Sequence, residues 1–187
     1  MSQPSLESQI TCWNKLSQGN QNKALPLFKE IFFLTSSRKN FSSPEEKESF
    51  WKKWVGYYFR EEPESIYLAL GESGRLCGYL TGSKNSLKAS SKLIKAIPGY
   101  KCFEDQFVEF PAHLHINCHP NCQGQGWGRR LIDAFVTDLK KKGIPGLHLI
   151  TSPGEENVHF YRHLNFSYQL GRQWKNHPLL FMGRQLK

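Results

Sequence analysis

The sequence predicts an α/β (α+β) chain, helical at first and then rich in strands, with one strongly amphipathic helix set between two of the later strands. Three observations predict it. Apolar residues recur at helical spacing over roughly the first sixty positions. Two strand-like runs flank Gly71-Glu72-Ser73-Gly74. A third such run, His113 to Cys118, leads through a glycine-rich turn into Leu131, Ile132, Phe135, Val136 and Leu139, again at helical spacing. With 187 residues the chain is long enough for one core, and a single domain over 1–187 is expected, its N-terminal helices within 1–64.

A faint first strand is expected near Gln9 to Trp13. Lys23 to Phe33 carries Leu25, Leu27, Phe28, Ile31 and Phe32 on a helical repeat. A second helix starts at Ser43, with Pro44 in its first turn and Glu46 closing a capping box, and Phe50, Trp54 and Tyr57 or Tyr58 continue it until Pro63. Ser65 to Leu70 and Arg75 to Ser83 read as a hairpin. Lys84 to Phe110 exceeds what a direct connection requires. Leu87, Leu93, Ile94 and Ile97 suggest a short helix there, broken by Pro98-Gly99, with Tyr100 to Phe110 irregular. Two readings of this insertion stand: a cover over a substrate side, or a packed surface segment. Strands are expected at Leu147 to Thr151, Ser167 to Leu170 and Leu179 to Gln185, with Arg172 to Pro178 as a link.

The turn Gln123-Gly124-Gln125-Gly126-Trp127-Gly128-Arg129 opens a helix. Glycines let backbone approach a ligand closely, and the first N–H groups of a helix have no intrahelical acceptors, so an anion is what the turn is placed to bind. A dinucleotide fingerprint would need glycine where Arg129 stands and an acid about 20 positions further on. Gly143 to Ser152 holds no acid, and the Gly-Lys-Ser/Thr of a phosphate-binding P-loop is absent as well.

Composition narrows the field further. The formal net charge of +9 suits an anionic partner, but no nucleic-acid motif accompanies it, and none is expected as a partner. No segment approaches the roughly 18 to 20 apolar residues of a membrane span, and Met1 to Ser5 shows no secretory pattern. The expected location is therefore cytoplasmic, or also nuclear in a eukaryote. Five cysteines lack zinc spacing. Cys118 and Cys122 lie near His115 and His119, but Cys118 continues the alternation Leu114, Ile116, so no metal site is expected.

Gln123, Gly126 and Gly128, with Pro120 ahead of them, make a Gln-x-x-Gly-x-Gly pattern that resembles the pyrophosphate-binding motif of the GCN5-related N-acetyltransferases (GNAT). Downstream, Phe160-Tyr161-Arg162-His163-Leu164-Asn165-Phe166 is similar to that family's Phe-Tyr-x-x-Leu-Gly-Phe signature. Residues 108 to 170 further resemble the acetyltransferase-like domain of O-GlcNAcases and related stand-alone microbial proteins, some of which are thought to lack acetyltransferase activity. The resemblance implies a mixed central sheet of six to seven strands flanked by helices and splayed between strands four and five.

It also implies acetyl-CoA as cosubstrate, no metal, and an amine-bearing acceptor, small molecule or protein. The pantetheine arm would run along the backbone of Ile116 and Cys118, and the pyrophosphate would take the amides from Gln123 to Arg129, with the Gln123 and Arg129 side chains as further donors. Trp127 either flanks the cofactor or packs. Asn157, where the family has a small residue or asparagine, is a cofactor candidate beside Glu155 and Glu156. Tyr161 matches the family's proton donor to the departing thiolate. The alternative is that it packs, although Phe160 next to it is able to do so. His115 and His113, opposite Leu114 and Ile116 on their strand, are the first candidate bases, as in arylalkylamine acetyltransferases, with Glu109 and His119 behind them. Asn165 stands for the usual glycine, and asparagine tolerates the left-handed conformation required. A catalytically silent CoA-binding or interaction module of the same fold is the alternative to the enzyme.

Overall fold

The computed structural model describes residues 9–186. The opening segment read above for a targeting signal lies outside the described residues. Seven strands and six α-helices follow in the order β1 (Gln9–Cys12), α1 (Gln18–Thr35), α2 (Pro44–Trp54), α3 (Gly56–Glu61), β2 (Ile66–Leu70), β3 (Leu76–Ser83), α4 (Ser86–Ala96), β4 (Ala112–Cys118), α5 (Trp127–Lys141), β5 (Gly146–Thr151), α6 (Asn157–Arg162), β6 (Tyr168–Trp174) and β7 (His177–Gln185). The strands form a mixed sheet ordered β1-β2-β3-β4-β5-β7-β6, as the α/β expectation required. β4 and β5 are parallel and pair at Ala112↔Leu147 and His113↔His148, early in β4. No helix among the described residues is long and apolar enough to cross a membrane.

Two compact units make up the described residues: those up to Thr81 with Ile116–Phe135, and Gly82–His115 with those from Val136 onward. In the first, Ser17 caps α1 by accepting from Asn20 N–H, and Ala24, Phe28, Ile31 and Phe32 form its buried stripe. Phe28 stacks on Tyr79 of β3 at 3.7 Å between centroids. The Tyr67 ring of β2 meets Phe135 of α5 at 5.7 Å. Register and alternation explain this: Tyr79 pairs with Leu68, the neighbour of Tyr67, so the two rings leave the sheet on opposite faces.

α2 begins at Ser43 as its capping pattern predicts, with Ser43 Oγ accepting from Glu46 N–H at 3.2 Å. The return bond differs from a capping box, because the Glu46 carboxylate reaches the Ser42 N–H and hydroxyl instead. The helix also breaks at Val55, so the aromatic run is divided between α2 and α3.

In the second unit the long insertion is built into the core. α4 is followed by a 3-10 segment, Pro98–Gln106, and Tyr100, Phe103, Phe107 and Phe110 are all buried. Phe107 and Phe181 of β7 stack on His148, with centroids 4.8 and 4.6 Å away. Phe110 lies where two strands carry glycine. A Cβ on Gly146 would stand 2.4 Å from Glu109 O, and one on Gly183 would stand 2.6 Å from Phe110 Cε1. The link expected at Arg172 to Pro178 is instead mostly strand. β6 and β7 pair from Tyr168↔Gly183 to Trp174↔His177 and turn at Lys175, whose φ is 51°.

Candidate active-site residues

The glycine-rich turn belongs to the first unit. His119 N–H donates to Cys77 O of β3 at 2.9 Å, so the end of β4 is held before the chain turns through a 3-10 segment, Pro120–Cys122. Gly124 and Gly126 then take φ of 74° and 81°, and a Cβ on either would meet nothing within 4 Å. Their role is conformational, because L-residues rarely adopt this region. Arg130 N–H closes the first turn of α5 onto Gly126 O, so the amides of Trp127, Gly128 and Arg129 precede the helix's own acceptors. The Gln123 N–H is spent on Pro120 O, so the run of donors starts at Gly124 rather than at Gln123.

Several side chains of the turn serve the turn itself. Gln123 Nε2 donates to Cys118 O at 3.4 Å, Gln125 Nε2 to Asn121 O at 3.0 Å, and Trp127 Nε1 to Gln125 Oε1 at 3.4 Å. Trp127 is buried beside Gly71, and the Arg130 guanidinium lies 4.4 Å from its ring centroid, while Arg129 is exposed. Ile116 and Cys118, on the last residues of β4, are half-buried. Burial, and then neighbouring Cys122, pushes the Cys118 thiol up to about 11, so it stays protonated at neutral pH. Asn117 Nδ2 donates to Tyr79 Oη at 2.8 Å.

The catalytic candidates belong to the second unit. His113 is only 2% exposed, and both Ser86 Oγ (2.8 Å) and Tyr100 Oη (2.6 Å) converge on its Nδ1. His148 Nδ1 donates to Phe110 O at 2.7 Å. A carbonyl only accepts, so Nε2 is left as the acceptor facing Tyr100 Oη at 3.5 Å. Burial lowers His113 well below the usual imidazole value, with His148 and His115 adding to the effect, and lowers His148 to about 3. His115 is half-buried, its ring 6.3 Å from that of His113, and desolvation brings it down to about 4. All three imidazoles are therefore neutral at pH 7.

Tyr161 is 6% exposed and meets Phe166 edge-on at 5.6 Å, whereas Phe160 is 37% exposed. The packing expected of Phe160 falls to Tyr161. Asn157 is exposed, and its Oδ1 accepts from Thr151 Oγ1 at 3.3 Å. Asn165 adopts φ of 64°, the left-handed conformation expected where the family has glycine. Sequence reasoning missed Ser86, Tyr100 and His148. The signal was a histidine inside the apolar run Leu147 to Ile150, since a buried imidazole needs hydrogen-bond partners.

Comparison with known proteins follows the same lines. The sequence matches the acetyltransferase (GNAT) family over residues 27–166. Among solved structures, SsHAT is similar with a TM-score of 0.70 at 19% identity, covering 97% of this chain and 99% of that one. The ribosomal-protein-S18-alanine N-acetyltransferase of Escherichia coli gives 0.58 at 15%, covering 96% and 94%. YncA of Salmonella typhimurium, solved with its cofactor acetyl-CoA, gives 0.56 at 15%, covering 97% and 95%. These likenesses concern the fold, while the family match spans most of the sequence. The chain belongs to the acetyltransferase (GNAT) family.

Proposed function

We propose that the protein is an acetyl-CoA-dependent N-acetyltransferase that passes the acetyl group directly to an amine acceptor. The observation that carries this reading is the turn at Gly124 to Arg129. Two left-handed glycines leave its surface bare, and the amides opening α5 precede any helical acceptor. A pyrophosphate fits such a cradle. Acetyl-CoA supplies an acyl group activated as a thioester. The amides of Gly124 to Arg129, with the exposed Arg129 guanidinium, would hold its phosphates, and the backbone of Ile116 and Cys118 would border its arm.

His115 is the better base of the pair. It is half-buried, whereas His113 is enclosed and its Nδ1 is engaged by two hydroxyls. An imidazole lowered to about 4 is unprotonated at neutral pH but is a weak base, so it suits an amine that arrives already largely neutral. Tyr161 is the proposed proton donor to the departing thiolate. Asn157, bonded to Thr151, is a further proposed cofactor residue. The five cysteines form no disulfide among the described residues, which agrees with a reducing, cytoplasmic setting.

Burial of His113 and Tyr161 favours a second reading, a module that binds CoA without turnover. Thermal melting with acetyl-CoA tests the donor site that both readings share. The melting temperature should rise by several degrees at saturating ligand, and no rise at millimolar concentration would remove both. CoA release across small amines, peptide N-termini and lysine peptides then separates enzyme from module.

A further inference from the structure

The glycine turn is held in shape by a device that begins outside the acetyltransferase motif. We infer that His119 is a positioning residue for this turn. Its Nδ1 accepts the Asn121 N–H at 3.1 Å, which makes it the N-cap of the 3-10 segment at Pro120–Cys122. A nitrogen that accepts carries no proton, so the ring proton resides on Nε2. That edge faces Glu30 Oε1 of α1 at 4.0 Å, beyond hydrogen-bonding distance but close enough for the carboxylate to favour this tautomer. The His119 side chain is 17% exposed and that of Glu30 56%.

The connection does not end at Asn121. Its carbonyl accepts from Gln125 Nε2, and Gln125 Oε1 accepts from the indole of Trp127, which is buried against Gly71. A line of hydrogen bonds thus runs from His119 across the turn to the first residue of α5. It uses side chains with the N–H and carbonyl of Asn121, and it leaves the amides of Gly124 to Arg129 for a ligand. Ordering the turn before the ligand arrives removes that cost from binding. The same geometry keeps Nδ1 from acting as a base. The consequence for donor binding rests on the acetyl-CoA reading above; the ordering of the turn does not.

The test compares His119→Ala, His119→Asn and His119→Gln. Asparagine places a carbonyl oxygen where a cap residue needs one, whereas the longer glutamine caps poorly. CoA affinity by calorimetry, donor KM and kcat, and amide hydrogen exchange over residues 121–129 are measured for each. His119→Ala should weaken CoA about fivefold, the effect of losing one cap, raise donor KM with kcat kept, and speed exchange in the turn. His119→Asn should bring affinity and exchange back, and His119→Gln should not. Wild-type affinity and exchange in His119→Ala would overturn the inference. So would His119→Asn behaving like His119→Gln, or a fall in kcat at unchanged donor affinity. If His119→Ala does not fold, the asparagine and glutamine variants decide. A wild-type protein that bound no CoA would defeat the donor reading alone, because hydrogen exchange reports on the turn without ligand.

Discussion

Tyr161 carries two demands at once. Its ring is packed edge-on against Phe166 in the second unit, and its hydroxyl is the proposed source of a proton. Tyr161→Phe separates them, because it keeps the ring and removes only the hydroxyl. In an enzyme, kcat should fall about 10²-fold with donor affinity unchanged, a typical loss for a general acid. In a silent module nothing measurable should change, and stopped-flow CoA release distinguishes the two. The motif singled out Tyr161 as a candidate, and it made the left-handed Asn165 legible in the sequence. The environment of His113 was not legible in the same way. Strand alternation places His113 and His115 on one face, but the converging hydroxyls come from Ser86 and Tyr100, in an insertion whose path no local pattern announces.

Two glycines of the first unit show how differently elements depend on the same residue type. Gly126 needs its positive φ and has open space around it, whereas a Cβ on Gly78 would stand 2.9 Å from Asn117 O and 3.0 Å from Cys118 Sγ. Gly126→Ala should therefore cost about 1 kcal/mol in backbone strain and act mainly on donor affinity. Gly78→Ala should cost roughly 2 to 3 kcal/mol, because β3 and the end of β4 must move apart. Denaturant melts of both variants check the order, and Gly126→Ala proving the less stable would refute the argument. At this scale the start of α2 was readable from its cap Ser43, and α5 from its apolar repeat, whereas α1 begins at Gln18, ahead of the repeat read from Lys23. The length of β6 was not, because Gly171 to Trp174 alternate between exposed and half-buried at a sheet edge and their composition reads as loop.

For the molecule as a whole, the enclosed imidazoles set the acid limit of stability. His113 and His148 are neutral and buried in the folded state, with lowered pKa values, and titrate near 6.5 once unfolded. The unfolded chain therefore binds more protons as pH falls below 6.5, and stability must decrease. Two such groups give about 3 kcal/mol per pH unit, and His115, lowered to about 4, adds to the slope until it takes up its proton in the folded state, ahead of His148 near pH 3. Glu46, lowered to about 2 by the Ser42 and Arg38 contacts, acts in the same direction but only below its ordinary range near 4.5. Melting temperature should thus fall steeply from pH 6.5 to 4.5. His148→Phe, which keeps a ring between Phe107 and Phe181, should reduce that slope by about one proton. An unchanged slope would mean that His148 is protonated in the folded protein.

Phe110 and the glycines beneath it also constrain descent. An alanine at position 183 would collide with the Phe110 ring, and one at 146 with the Glu109 carbonyl and the same ring. Positions 110 and 183 are therefore coupled: a lineage that enlarges 183 must first shrink 110, whereas 146 stays closed to a side chain whatever stands at 110, because the Glu109 carbonyl it would meet is backbone. A residue larger than glycine at 183 thus implies a smaller one at 110, while glycine at 146 is required by the backbone path of the insertion itself.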